Sequence, residues 1–216
     1  MTVARWACVV VTSALLGCGG GGDDDGGTNP PPPPPPPNNQ TLGSISTNVT
    51  SLNLVAGNTQ TITVSAFDTQ GGVIVNFGTP TFTVVSSTVA EVDAGGTVLG
   101  LTGGSTTVNV SVTMGAVTRT APVAVVVTGA LPTLANVSTQ SGDIFTPAKV
   151  AISQGGQVTW TFGGVEHTVV FSNAGAPGGI TSGGYSSSHS RTFGSSGNFN
   201  YVCTIHAGMS GQVIVR

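Results

Sequence analysis

The chain of 216 residues carries a formal net charge of −3, and only 6% of it is charged, about a quarter of the usual share in globular proteins. Glycine supplies 33 residues, while Leu, Glu, Lys, Arg and Gln are sparse, which excludes long helices and enzymes built on alternating strands and helices. Five Lys and Arg in all exclude a nucleic-acid binder that works by neutralising phosphates.

The N-terminal segment reads as an address. Arg5 precedes an uncharged, mostly apolar run from Ala7 to Leu16, of signal-peptide length and too short to span a bilayer. The run closes on Leu15-Leu16-Gly17-Cys18. This resembles the bacterial lipobox, in which the cysteine is diacylated and becomes the mature N-terminus. Residues 1–17 are thus expected to be a signal peptide and Cys18 a lipidation site. Acyl chains at roughly 0.8 kcal/mol per buried CH₂ would anchor the protein to a membrane. Residues 18–41 hold Gly19 to Gly22, Asp23 to Asp25 and an unbroken proline run from Pro30 to Pro37. Proline lacks an amide donor and fixes φ, so this stretch is expected to be an extended tether of roughly 25 Å.

Residues 42–128 alternate apolar and polar positions in short runs. Ile62, Val64 and Ala66 share one face of the run Thr59 to Phe67, and Val108, Val110 and Val112 share one face of Thr106 to Val112. Period two marks half-buried strands. Gly57-Asn58, Gly71-Gly72, Gly95-Gly96 and Gly103-Gly104 punctuate them as turns. The expectation is an antiparallel β-sandwich. The stretches Leu52 to Gly57, Ser86 to Asp93 and Val98 to Gly104 resemble the group 2 bacterial immunoglobulin-like domains. That resemblance implies a surface module acting as a spacer or in adhesion. Residues 129–135, with Pro132, are expected to be a hinge.

Residues 136–216 form a second β-rich segment. Strand candidates are Val150 to Ile152, Val158 to Phe162, His167 to Phe171, Ser190 to Phe193, Asn198 to Cys203 and Gly211 to Val215. The fold class is therefore all-β, with two consecutive sandwiches after a tether. With Cys18 lipidated, Cys203 has no disulfide partner. It stands in Cys203-Thr204-Ile205-His206-Ala207-Gly208-Met209, and His167 lies upstream at a strand edge. Two imidazoles, a thiolate and a weak axial thioether point to copper cycling between Cu(I) and Cu(II). Zinc more usually takes Cys and His without methionine. A cysteine nucleophile with a histidine base would need an oxyanion site and a cleft as well.

The segment resembles the cupredoxin, or blue-copper, family. The resemblance is carried by Phe145-Thr146-Pro147, Gly155 to Trp160, Glu166-His167-Thr168-Val169 and Gly197 to Gly211. Its short Cys-x-x-His-x-x-Met spacing is most similar to amicyanin and small plastocyanin-like domains. The resemblance implies His167, Cys203 and His206 as equatorial ligands of one type 1 copper and Met209 as the axial one. It implies electron transfer without substrate conversion. Where plastocyanins place a proline, Ile205 stands here, so its amide is free to join that of Thr168 in bonding the Cys203 sulfur. His189, Glu166, Trp160 and Tyr201 are read as structural or surface residues. The reading is a lipid-anchored blue-copper electron carrier of the bacterial cell envelope, monomeric, docking an unknown redox partner protein through Ala207 and Gly208. Copper capture and delivery, or adhesion with a non-redox copper domain, are the alternatives.

Overall fold

In this computed structural model, residues 40–139 and 143–216 are described. The expected signal peptide, Cys18 and nearly all of the tether lie outside them. No residue among the described ones is helical, as a chain so poor in helix formers requires.

The first ten strands are β1 (Leu42–Thr47), β2 (Ser51–Val55), β3 (Thr59–Thr61), β4 (Val64–Asp68), β5 (Val73–Ile74), β6 (Thr81–Val84), β7 (Ala90–Val92), β8 (Thr97–Gly100), β9 (Gly104–Met114) and β10 (Val117–Thr128). They form a four-stranded sheet, β2-β10-β9-β6, and two three-stranded sheets, β1-β4-β5 and β3-β8-β7. Val108, Val110 and Val112 are all buried, as their alternation demands. Leu52, Leu54, Val110 and Val123 of the larger sheet pack with Ile62, Ala90 and Val98.

The run Thr59 to Phe67 is one strand by alternation but two in the structure. β3 pairs with β8, whereas β4 pairs with β1. Between them the Ile62 amide bonds the Gly96 carbonyl, and the Thr63 amide bonds Asn48 Oδ1. Ile62 and Ala66 stay buried through this change of sheet, while Val64 is half-buried. Period two survives a sandwich corner, so it does not reveal one.

The second sandwich comprises β11 (Leu134–Ser138), β12 (Lys149–Ile152), β13 (Gln157–Thr161), β14 (His167–Phe171), β15 (Ile180–Gly183), β16 (Ser188–Thr192), β17 (Gly197–Val202) and β18 (Ser210–Val215). Its sheets run β11-β13-β16 and β12-β18-β17-β14-β15. Trp160, Phe162, Phe193, Phe199 and Tyr201 fill the space between them. Trp160 meets Tyr201 edge-on at 5.4 Å between ring centroids, a favoured aromatic geometry. Strand β15 lies in the Gly- and Ser-rich stretch from Ser172 to Ser188, where alternation gives no signal.

Residues 129–135, expected as a hinge, are held from both sides. Leu131 packs on the first core and on Leu99, Leu101, Ala151 and Ile214. The Ser153 amide donates to the Pro132 carbonyl at 2.9 Å, and the Gln157 amide to that of Thr133 at 2.8 Å. Across the same junction Lys149 Nζ meets Glu91 Oε2 at 2.9 Å, and Arg216 Nη2 meets Glu91 Oε1 at 3.9 Å. The stretch Asn39–Arg216 is accordingly one compact unit. The cause is visible in β12 and β18: Val150, Ile152, Val213 and Val215 face the second core, and Ala151 and Ile214 the first sandwich. Strands apolar on both faces must be covered on both.

Candidate metal centre

Strands β14 and β17 are antiparallel neighbours, with Val170 opposite Val202 and Phe171 opposite Tyr201. That register brings His167, the first residue of β14, to the same end of the sheet as Cys203, just past β17. The chain beyond Cys203 turns back at once. The Cys203 amide donates to the Met209 carbonyl at 3.0 Å, and the Met209 amide to that of His206 at 3.4 Å. Gly208 supplies the left-handed step this turn needs, at φ +79°. His206 is thereby carried over the sheet end, and Met209 returns to the core beside Cys203.

Three donor atoms converge. His167 Nδ1 and His206 Nδ1 stand 3.1 Å apart. Cys203 Sγ lies 3.9 Å from the first and 3.5 Å from the second. Metal bonds of about 2.0 Å to nitrogen and 2.3 Å to sulfur, spread trigonally, space their donors by about 3.5–3.8 Å. The set is thus the right size for one ion, and no carboxylate enters it. A soft thiolate, two imidazoles and a nearby thioether fit copper better than zinc or magnesium. His167, Cys203, His206 and Met209 are arranged as a type 1 site.

The surroundings favour the thiolate. Burial alone would push the Cys203 thiol up. Against this, the Thr168 amide donates to Sγ at 3.4 Å, and the His167 ring and the amides of Ile205 and His206 also favour the charged form. The result is a thiol pulled down to about 6. Among the described amides, only that of Thr168 makes a full hydrogen bond to the sulfur; the Ile205 amide adds its field.

Side chains that spacing does not announce complete the frame. The Thr168 hydroxyl accepts from the Thr204 amide at 2.8 Å and lies 3.0 Å from Thr204 Oγ1, so it ties β14 to the ligand loop. The Phe162 ring lies nearly parallel to His167, 6.0 Å between centroids. Gly183 makes room for it, because a Cβ there would strike the Phe162 ring and the His167 carbonyl. Asp143 Oδ1 stands 3.5 Å from His206 Nε2, on the far side of that ring from the sulfur. No sequence spacing ties Asp143 to His206.

Other expected residues fall outside the cluster. His189 leans on Phe162 and contacts Ser187 Oγ at 3.2 Å. Glu166 is exposed and accepts from Ser182 Oγ at 2.8 Å. Trp160 and Tyr201 are buried in the core.

Residues 134–216 match the family of copper binding proteins described as the plastocyanin/azurin family. A chloroplastic plastocyanin of Tetradesmus obliquus is 35% identical over 85 residues, covering 34% of this chain and 59% of that relative. The chain therefore spans little more than half the length of the curated relative it matches. Amicyanin from Paracoccus versutus is 25% identical, covering 38% of this chain and 81% of that chain, with a TM-score of 0.35. A reduced Cu(I) amicyanin variant at pH 4 gives 25% identity, 38% and 80% coverage and a TM-score of 0.35. Residues 134–216 thus hold a donor set that fits one copper and are similar, over that same stretch, to the copper binding proteins of the plastocyanin/azurin family.

Proposed function

We propose that the whole chain is a blue-copper one-electron carrier of the bacterial cell envelope. In this reading Cys18 carries the lipid that holds it to a membrane. The proline run and the first sandwich, read as an immunoglobulin-like stalk, raise the copper domain from the surface. The bound copper would supply a Cu(I)/Cu(II) couple. The protein's residues do the rest.

One observation carries the electron-transfer reading. His167, Cys203 and Met209 are buried, whereas the His206 side chain is 22% exposed. A single ring edge thus joins the donor cluster to solvent, which suits passage of an electron and not entry of a substrate. The ligand-bearing segments are held in place by the loop's own backbone bonds and by Thr168. Little rearrangement is then needed between oxidation states, and preorganisation of this kind lowers the barrier to transfer. A cavity of about 610 Å³ does exist, lined by Glu91, Asp93, Lys149 and Gln212, but none of the four metal-site residues lines it.

The reading is tested by loading the purified protein with Cu(II) and exchanging electrons with small redox complexes. An intense visible thiolate–copper band and rapid, reversible reduction are expected. A colourless site, or copper handed to a chelator faster than it is reduced, would favour copper delivery. The anchor is tested separately: Cys18→Ser should release the protein from carbonate-washed membranes, and a variant still in the pellet ends the lipid reading.

A further inference from the structure

The outer face of strands β12, β18 and β17 is covered at one end only. There Ala151 and Ile214 pack with Leu99 and Leu101 of the first sandwich. Residues two apart on a strand share a face. The next row on this face is therefore Lys149, Gln212 and Asn200, neighbours across the three strands, followed by Ser210 opposite Val202. These rows floor a cavity of about 610 Å³, walled by Thr59, Glu91, Asp93 and Thr97 of the first sandwich. Small-molecule sites occupy about 300–1,000 Å³.

The lining mixes donors with acceptors and balances in charge. Glu91 meets Lys149 Nζ at 2.9 Å and Arg216 Nη2 at 3.9 Å. Asp93 Oδ1 accepts from the Thr97 amide at 2.8 Å, and its Oδ2 has no donor among the described residues. The Gln212 side chain donates to Asn200 Oδ1 at 2.7 Å, while its own oxygen is buried and unpaired. Pro147 and Val202 add apolar surface. An anion would face Glu91 and Asp93, and a cation would face Lys149. A peptide strand needs an open sheet edge for its backbone, whereas this floor is a sheet face. A hydroxyl both donates and accepts, so a neutral ring bearing several hydroxyls answers the lining.

We propose that this cavity binds a neutral saccharide, its hydroxyls paired with Asp93, Asn200 and Gln212 and a C–H face laid on Pro147 and Val202. A sugar hydroxyl donating to the Gln212 amide, as it turns toward the cavity, removes the unpaired acceptor. Floor and walls come from different sandwiches, so the site exists only while the junction holds them together. It is independent of the electron-carrier reading, because none of the four metal-site residues lines it.

The test titrates the full chain with maltose, cellobiose and diacetylchitobiose in turn, following backbone amide shifts by NMR. At least one sugar is expected to bind with a dissociation constant on the order of 1 mM or tighter. It should move the amides of Thr97, Asn200 and Gln212 and leave those of the distant turn from Asp68 to Gly72 still. Gln212→Leu keeps the bulk and deletes the amide, and should weaken that sugar about tenfold. Thr59→Trp, on the exposed wall, should fill the cavity and abolish binding. Melting curves establish that each variant is folded, and Thr59→Trp decides alone if Gln212→Leu melts early. Shifts centred outside the cavity, silence with all three sugars, or binding indifferent to the folded variants overturns the proposal. Shifts at the lining residues with trialanine or succinate, the sugars being silent, overturn it in favour of a peptide or an acid.

Discussion

His167 Nδ1 and His206 Nδ1 lie 3.1 Å apart although 39 residues separate them in the chain. Two ring nitrogens with lone pairs facing each other repel at that distance, so either one carries a proton or a cation stands between them. Backbone bonds from Cys203 to Met209 and the Thr168 clamp hold them there. The donors are thus gathered by the chain's own bonds, and removing each should cost in proportion to its share of the bonding.

Cys203→Ser should abolish the visible band and most copper affinity, since the colour comes from the thiolate. His167→Ala and His206→Ala should each open one position, weakening copper by about 100-fold or more and leaving a gap that added imidazole refills. Met209→Leu should keep a coloured site and raise its potential, because a thioether donor to Cu(II) is lost. His189→Ala should be silent. Absorption spectra and copper titration of the five variants check the order. A Met209→Leu protein without copper beside a coloured Cys203→Ser protein would falsify the assignment.

The metal-free protein should hold Cys203 as a thiolate at neutral pH. Its folded pKa of about 6 lies below the ordinary thiol value of about 8.5. A depressed acid stabilises the fold fully above its unfolded pKa, and the gain disappears as pH falls through the folded one. Metal-free stability should therefore climb between about pH 6 and pH 9, and Cys203→Ser should flatten that climb. Thiolate ultraviolet absorbance and denaturant melts across the range give the comparison.

Thr168→Val keeps the shape and the amide but deletes the hydroxyl that receives the Thr204 amide. Leaving that donor unpaired costs about 1–3 kcal/mol. The variant should melt earlier and release copper faster, yet stay coloured, because the amide bond to sulfur remains. Thr168→Ser should recover most of the loss.

Ile214 is fully buried at the junction with Leu99, Leu101 and Ala151. Ile214→Ala should cost about 2–4 kcal/mol and leave the copper spectrum untouched, since Cys203 and Met209 belong to the inner core while Ile214 faces the junction from the opposite side of the same sheet. Residues 134–216 expressed alone should likewise bind copper with the same colour, but melt at a lower temperature with Ala151 and Ile214 uncovered. A changed spectrum in either protein would show that the first sandwich shapes the metal site.

How much of this was legible in the chain follows from range. The all-β class, the burial of Val108, Val110 and Val112 and most second-sandwich strands follow from local alternation. The three loop residues of the metal site lie close together in sequence, His167 stands upstream at a strand edge as the second imidazole, and the family resemblance implied the ligand role of each of the four. The switch of sheet at Ile62 was not legible, because alternation is blind to which partner a strand finds. Strand β15 was hidden by glycine and serine. Asp143 was missed because it approaches His206 only through tertiary folding. The junction did leave a trace: Lys149-Val150-Ala151-Ile152 is apolar on both faces, which a free-standing sandwich has no reason to be.

Phe162 and Gly183 occupy one shared volume beside His167, and this makes them a compensating pair in sequence change. An alanine at 183 with Phe162 in place collides with the ring. A smaller residue at 162 frees that space first, leaving only the His167 carbonyl, 2.9 Å from the new methyl, to be relieved. The passable route between large–small and medium–medium arrangements therefore runs through position 162 before position 183. A lineage that tried the reverse order would lose the ring from His167, and with it the shelter of the site, before gaining anything.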